Sequence, residues 1–338
     1  MEKSRKKIIY IYILLSWVLT ILALAFRILA RVYAYDSDIG YFKSGSVFPI
    51  LHYGSLFLIV LLAFSSFFLF RRSSVPESIL LKMKQTCVME KIAAIVGGIS
   101  MLAVSVYTTL FYWGSESALT PTGFTSIGLL TAFLSVFFFL FFWIPARVGK
   151  NAHIFSGFAL ILHLVYILVS SYSELYTTMN NPVKVLTQLT AIAAILYLLS
   201  DLRFYLGTTL PSRYIAFTTI FLGVAIVSTL SCGIFEFPQQ EYTELYRIYN
   251  LSCFSLVIPS AVRLTRFFML WIEHERDLDD PSEIYNEIAV SSDESVSEDF
   301  APDDPSDEPS VDEASVDEPE NTCDTEKVNE AESEDTGE

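Results

Sequence analysis

One histidine is the residue of this chain best placed to do chemistry inside a membrane. His163 lies in the run LILHLV (residues 160–165), about ten residues into a long apolar segment. Ionisable side chains at that depth are costly, and they mark proton relays, ligand sites or hydrogen bonds to a neighbouring helix. We interpret His163 as a candidate intramembrane polar site. A neutral imidazole bonded to another helix is the simpler interpretation, and a proton-relay or ligand role is the alternative.

A neutral imidazole at this depth needs hydrogen-bond partners on adjacent helices. No Asp or Glu is predicted near the middle of any apolar segment, so the partners of His163 should be hydroxyl or carbonyl groups. The hydroxyl residues expected near its depth are Ser105, Thr131, Ser135, Thr190 and Ser228.

The common catalytic and metal-binding patterns are missing from the sequence. It contains no H-E-x-x-H, G-x-x-x-x-G-K-[ST], G-x-S-x-G or C-x-x-C pattern. Asp36 and Asp38 stand two residues apart, but two carboxylates fall well short of the roughly six to eight oxygens of a calcium shell. We therefore predict no catalytic residue, no metal site and no cofactor, and a protein that is not an enzyme.

The remaining ionisable residues of the apolar segments are expected near the segment ends. There, interfacial water would reach their polar groups without any functional role. These residues are His52, His153, Arg27, Asp201 and Arg203.

Eight apolar segments of the sequence are long enough to cross a bilayer as helices. Crossing a bilayer takes about 20 helical residues. They cover residues 8–30, 48–70, 92–113, 124–144, 154–172, 185–200, 214–235 and 245–262. The sequence predicts an all-α integral membrane protein with a polytopic transmembrane domain over residues 1–262. Its fold is a bundle of about eight transmembrane helices, followed by a disordered acidic tail.

The distribution of Lys and Arg predicts the orientation of these helices. The amino-terminal segment and the connections expected on its side carry 15 basic residues, and the opposite connections carry five. Basic residues concentrate on the cytoplasmic side of membrane proteins. We predict a multi-pass protein of the cell membrane with both termini in the cytoplasm.

Residues 263–276 are predicted to form either an amphipathic interfacial helix or the end of the last span. Apolar side chains recur there at helical spacing, and we expect Arg263 and Arg266 to lie off that apolar face. The apolar residues are Leu264, Phe267, Phe268, Trp271 and Ile272.

The last part of the chain, residues 277–338, is predicted to be a disordered, low-complexity tail. From residue 275 to the end, the sequence holds 26 acidic and two basic residues, whereas the preceding body has a net charge of +8. Such a composition cannot bury enough apolar surface to offset the entropy of ordering. Its charge suits a basic cytoplasmic protein partner and disfavours anionic lipid headgroups.

The function that fits these features best is a non-enzymatic membrane scaffold or sensor-like module with an acidic interaction tail. The alternative is a small-solute transporter with a site between helices near His163. The lipid bilayer is the first partner. Nucleic acid is not expected, because the positive charge lies in short clusters between apolar runs. The sequence carries no signal for an oligomeric state.

Overall fold

The structure is a computed structural model that describes residues 2–36, 40–70, 75–114, 122–144, 146–173, 181–231 and 244–277. These ranges contain nine α-helices, eight of which are long and apolar enough to cross a membrane. The predicted all-α class is therefore confirmed, as is the number of helices that are long and apolar enough to span a membrane. The predicted disordered tail lies outside the described residues, apart from its first residue, Asp277.

The helices are numbered α1 to α9 along the chain. Their bounds are Glu2–Ala34 (α1), Val47–Leu69 (α2), Glu77–Lys84 (α3), Val88–Gly114 (α4), Thr122–Leu140 (α5), Ala146–Ser173 (α6), Pro182–Leu206 (α7), Pro211–Ser231 (α8) and Glu244–Asp277 (α9). A 3₁₀ turn, Phe141–Trp143, follows α5. The short α3 does not cross the bundle.

Capping residues explain why α7 extends beyond the predicted residues 185–200. The side chain of Asn181 accepts a hydrogen bond from the backbone N–H of Val183 at 2.9 Å, and Pro182 occupies the first turn. At the other end, Gly207 adopts φ 79°, a left-handed conformation that terminates the helix. Local capping therefore sets both ends of this helix.

The connection between α1 and α2 forms a small hairpin. Strand β1 (Tyr35–Asp36) pairs antiparallel with strand β2 (Tyr41–Phe42). Gly40, at φ 70°, donates its N–H to the carbonyl of Asp36 at 2.9 Å. This hydrogen bond closes the hairpin at Gly40, and Asp38 lies outside the described residues.

The packing order of the helices differs from their order along the chain. Helices α4, α5, α6 and α7 pack in sequence, and α9 lies against α4, α7 and α8. On the other side, α1 and α2 pack against each other and against α8. Helix α8 thus lies between the two groups, and 72% of its span is buried, whereas only 22% of the α1 span is.

The contact between α4 and α9 is unusually close because of a glycine and a proline. A Cβ atom at Gly97 would lie 2.6 Å from the carbonyl oxygen of Ser255, so no larger residue fits. Pro259 lies inside α9 and has no N–H to donate to that carbonyl, four residues earlier. This approach places the polar residues of α9 deep in the bundle.

Candidate functional site

His163 lies in the interior of the bundle and contacts two other helices. Its side chain is only 2% exposed. Its Nδ1 lies 3.3 Å from the hydroxyl of Thr131 on α5, and its Nε2 lies 3.2 Å from the hydroxyl of Ser252 on α9. Thr131 is one of the five expected partners, whereas Ser252 was not anticipated. We call these three residues the His163 cluster.

Counting hydrogens in the His163 cluster shows how the two hydroxyl groups must orient. The Thr131 hydroxyl also lies 2.9 Å from the carbonyl of Ile127, and the Ser252 hydroxyl lies 2.9 Å from that of Ile248. A neutral imidazole has one donor and one acceptor nitrogen. One of the two hydroxyls must therefore donate to the ring instead of to its own helix. The cluster satisfies a neutral histidine and joins α5, α6 and α9.

The other four expected hydroxyl partners of His163 make different contacts. Ser105, Ser135 and Thr190 each donate to the carbonyl four residues earlier in their own helices. Ser228 instead donates to Asn250 Oδ1 at 2.8 Å, which links α8 to α9. Helix α9 is thus the common partner of the interhelical polar contacts in this part of the bundle.

A second polar cluster consists of four charged residues. Arg263 on α9 donates from Nε to Asp201 Oδ1 on α7 at 2.8 Å, and its Nη1 lies 3.5 Å from Glu90 Oε1 on α4. Arg266, one turn further along α9, also pairs with Glu90. Two carboxylates and two guanidinium groups balance in charge. We call these four residues the Arg263 cluster. They lie where α4 begins, near the end of α7 and in the second half of α9, and we call this part the tail end of the bundle.

Burial of the Arg263 cluster corrects two expectations from the sequence. Asp201 and Arg263 are fully buried and Glu90 is 1% exposed, so interfacial water does not explain Asp201. Arg263 also lies on the apolar face of α9 instead of off it, because Phe267 and Trp271 follow it at intervals of four residues. This spacing of four residues can be read from the sequence, but it does not identify Asp201 and Glu90 as the acidic partners.

Aromatic side chains surround the guanidinium group of Arg263. Its Cζ atom lies 5.5 Å from the ring centre of Phe142 and 5.9 Å from that of Tyr205. His153 packs beside them, with its ring centre 4.3 Å from Tyr205 and 4.9 Å from Phe142. His153 is 3% exposed, so the expectation that it meets interfacial water is also wrong. Such rings favour a desolvated cation through cation–π attraction.

The Arg263 cluster also fixes the short helix α3. Arg266 donates to the backbone carbonyls of Lys82 and Gln85, each at 2.6 Å, at the carboxyl end of α3. Glu90 accepts a hydrogen bond from the backbone N–H of Cys87 at 3.0 Å, and so caps the start of α4. Glu90 therefore acts both as a helix cap and as an ion-pair partner.

The opposite end of the bundle holds buried basic side chains beneath the hairpin. Arg31 lies over the ring of Tyr35 at 3.4 Å, and Arg27 lies 5.3 Å from the ring centre of Phe42. His52 places Nδ1 3.1 Å from the carbonyl oxygen of Ala23. Arg27 and His52 are almost fully buried, so their position at span ends does not give them the water contact expected from the sequence. Arg203, by contrast, stays partly exposed near the end of α7.

No protein-family model, curated protein or solved structure matches the chain in the three comparisons made. Within the described ranges, no group of three or more His, Cys, Asp and Glu side chains is placed to hold a metal ion. The two polar clusters are thus the features of the described residues that bear on function. Both are tied to α9, the helix that leads into the acidic tail.

Proposed function

We propose that this protein is a non-enzymatic scaffold or sensor-like module of the cell membrane, with both termini in the cytoplasm. Its acidic tail, residues 278–338, binds a basic cytoplasmic protein. The observation that carries this proposal is the anchoring of α9 to α3, α4 and α7 through the Arg263 cluster, in the half of α9 that leads into the tail. The bundle thus holds α9, the helix from which the acidic tail continues.

Aromatic packing supports the same role for the last third of α9. Phe267 contacts Tyr214, with ring centres 5.3 Å apart, and Trp271 contacts Phe70 at 5.6 Å. Large apolar side chains that are buried in this way resist displacement of the helix. A partner bound to the tail would thus be tethered to the bundle through α9.

The alternative, a solute transporter with a site at His163, has less support. Both ring nitrogens of His163 have partners within the bundle, as a structural contact requires. A groove between α1, α8 and α9 is lined by Tyr12, Thr20 and Phe268, among others, and His163 is not part of its lining.

The proposal is tested by comparing three forms of the protein purified in mild detergent. These are the full chain, a chain ending at Asp277, and a full-length chain whose acidic residues 303–320 are replaced by Asn and Gln. We expect one basic protein to co-purify with the full chain only and to dissociate at high salt, because charge attraction is screened. Retention of the same protein by both variants would contradict the proposal, as would His163-dependent solute uptake by liposomes that contain the full chain.

The orientation is tested separately by labelling single cysteine substitutions in intact cells. Ser78 and Ser292 should be protected from an impermeant reagent, and Ser117 should react. Labelling at position 292 from outside would overturn the cytoplasmic placement of the tail.

A further inference from the structure

Four buried polar atoms in and around the Arg263 cluster have no hydrogen-bond partner among the residues that the structure describes. They are Asp201 Oδ2, Arg263 Nη2, the Tyr214 hydroxyl and His153 Nε2, and they belong to four different helices. Asp201, Arg263 and Tyr214 are fully buried. Such groups are rare in folded proteins, because each one loses its hydration without a replacement.

These atoms lie around one guanidinium group. Asp201 bonds Arg263 through its other oxygen, Oδ1. The Tyr214 hydroxyl lies next to Arg263, but it makes no hydrogen bond of good geometry. His153 is linked to Arg263 through Tyr205. The ring of Tyr205 contacts the His153 ring and also packs against the Arg263 guanidinium group. The four side chains thus lie in one neighbourhood of the bundle, around Arg263.

The charges of the cluster define what can bind there. Glu90 and Asp201 already balance Arg263 and Arg266, so an added ion would leave a net charge in a buried site. A metal cation would face the guanidinium group of Arg263, and an anion would face the free oxygen of Asp201. A small neutral molecule that both donates and accepts hydrogen bonds meets neither obstacle.

We propose that the Arg263 cluster is a binding site for ordered water. Water bridges Asp201 Oδ2 to Arg263 Nη2 and supplies the hydrogen bonds of the Tyr214 hydroxyl and His153 Nε2. Buried water molecules typically make two to four such bonds to otherwise unsatisfied groups. This hydration keeps both members of the ion pair charged inside the bundle. The inference does not depend on the partner of the tail or on any transported solute.

Radiolytic hydroxyl-radical labelling of the full chain in lipid nanodiscs, read by mass spectrometry, tests this site. The radicals form from water and react before they diffuse far, so a buried side chain is modified only where water lies beside it. Tyr214 is the probe. Phe221 is the control, because it lies on the same helix as Tyr214, is fully buried and stacks on the ring of Tyr197 at 5.3 Å.

We expect Tyr214 to be labelled several-fold faster than Phe221, after correction for the intrinsic reactivities of the two rings. The double variant Asp201→Leu/Arg263→Met removes two of the polar atoms, and its Tyr214 should be labelled as slowly as Phe221. Equal, slow labelling of both rings in the unaltered protein would overturn the proposal. Fast labelling of Tyr214 in a folded double variant would also overturn it. If the double variant does not fold, the comparison within the unaltered protein decides.

Discussion

The His163 cluster and the Arg263 cluster hold the same helix by different means. His163 lies in the middle of α6 and reaches α9 through the uncharged hydroxyl of Ser252. Arg263 lies closer to the end of α9 and pairs with the carboxylates of Asp201 and Glu90. The comparison shows that one helix is held at Ser252 by a neutral hydrogen bond and at Arg263 by compensated charges. The second contact should cost more to break, because a buried charge without its partner is strongly destabilising.

The largest expected effect is the loss of one charge from the Arg263 cluster. Arg263→Met removes the partner of Asp201 and leaves that carboxylate buried and uncompensated. Loss of one member of a buried ion pair typically destabilises a protein by about 3–5 kcal/mol. Thermal unfolding in detergent should show a marked decrease in stability. The control is Arg213→Met, at an exposed arginine. If Arg263→Met were as stable as the control, the cluster would not hold α9.

The His163 cluster should respond less strongly and should depend on the substituted residue. His163→Gln keeps a donor and an acceptor, so we expect little loss of stability. His163→Leu leaves Thr131 and Ser252 without their shared partner, and the expected cost is about 1–3 kcal/mol. The two variants are compared by the same unfolding assay. If both kept full stability and both abolished a measured activity, His163 would belong to a functional site.

The smallest effect is expected at the surface of the tail end. Lys82 and Glu273 form an ion pair at 3.1 Å, with about half of each side chain exposed. Exposed pairs contribute roughly 0–1 kcal/mol and are screened by salt. Lys82→Ala should therefore leave the unfolding temperature nearly unchanged, and any difference should vanish at high salt. A large, salt-resistant loss would show that this pair shares in the anchoring of α9.

Sequence reasoning found the spans but not the contacts between them. Apolar length alone predicted the eight helices, and depth alone identified His163 as a polar site, because both depend on distance along one segment. Predicting the Arg263 cluster requires knowing that α4, α7 and α9 meet. The packing order of these helices differs from their order along the chain. The position of Asp201 near a span end therefore predicts an interfacial residue, and only the packing of α7 against α9 reveals Arg263 as its partner.

The same limit applies to Ser252. Its distance from the start of the last span indicates its depth, but only the close approach of α9 to the bundle interior brings it to His163. Gly97 and Pro259 carry some of this information in the sequence, since a glycine and a proline in apolar helices permit close backbone contact. Neither residue specifies which helices meet.

The most direct test of the anchoring of α9 is a double-mutant cycle between α7 and α9. The variants are Asp201→Leu, Arg263→Met and the double variant, each compared with the unaltered protein by unfolding in detergent. Glu90 keeps Arg266 as a partner in all four proteins. We predict that the double variant is clearly more stable than the sum of the two single losses implies, because it leaves neither Asp201 nor Arg263 without its partner. Additive losses would contradict a direct Asp201–Arg263 interaction, and with it the anchoring of α9 to α7.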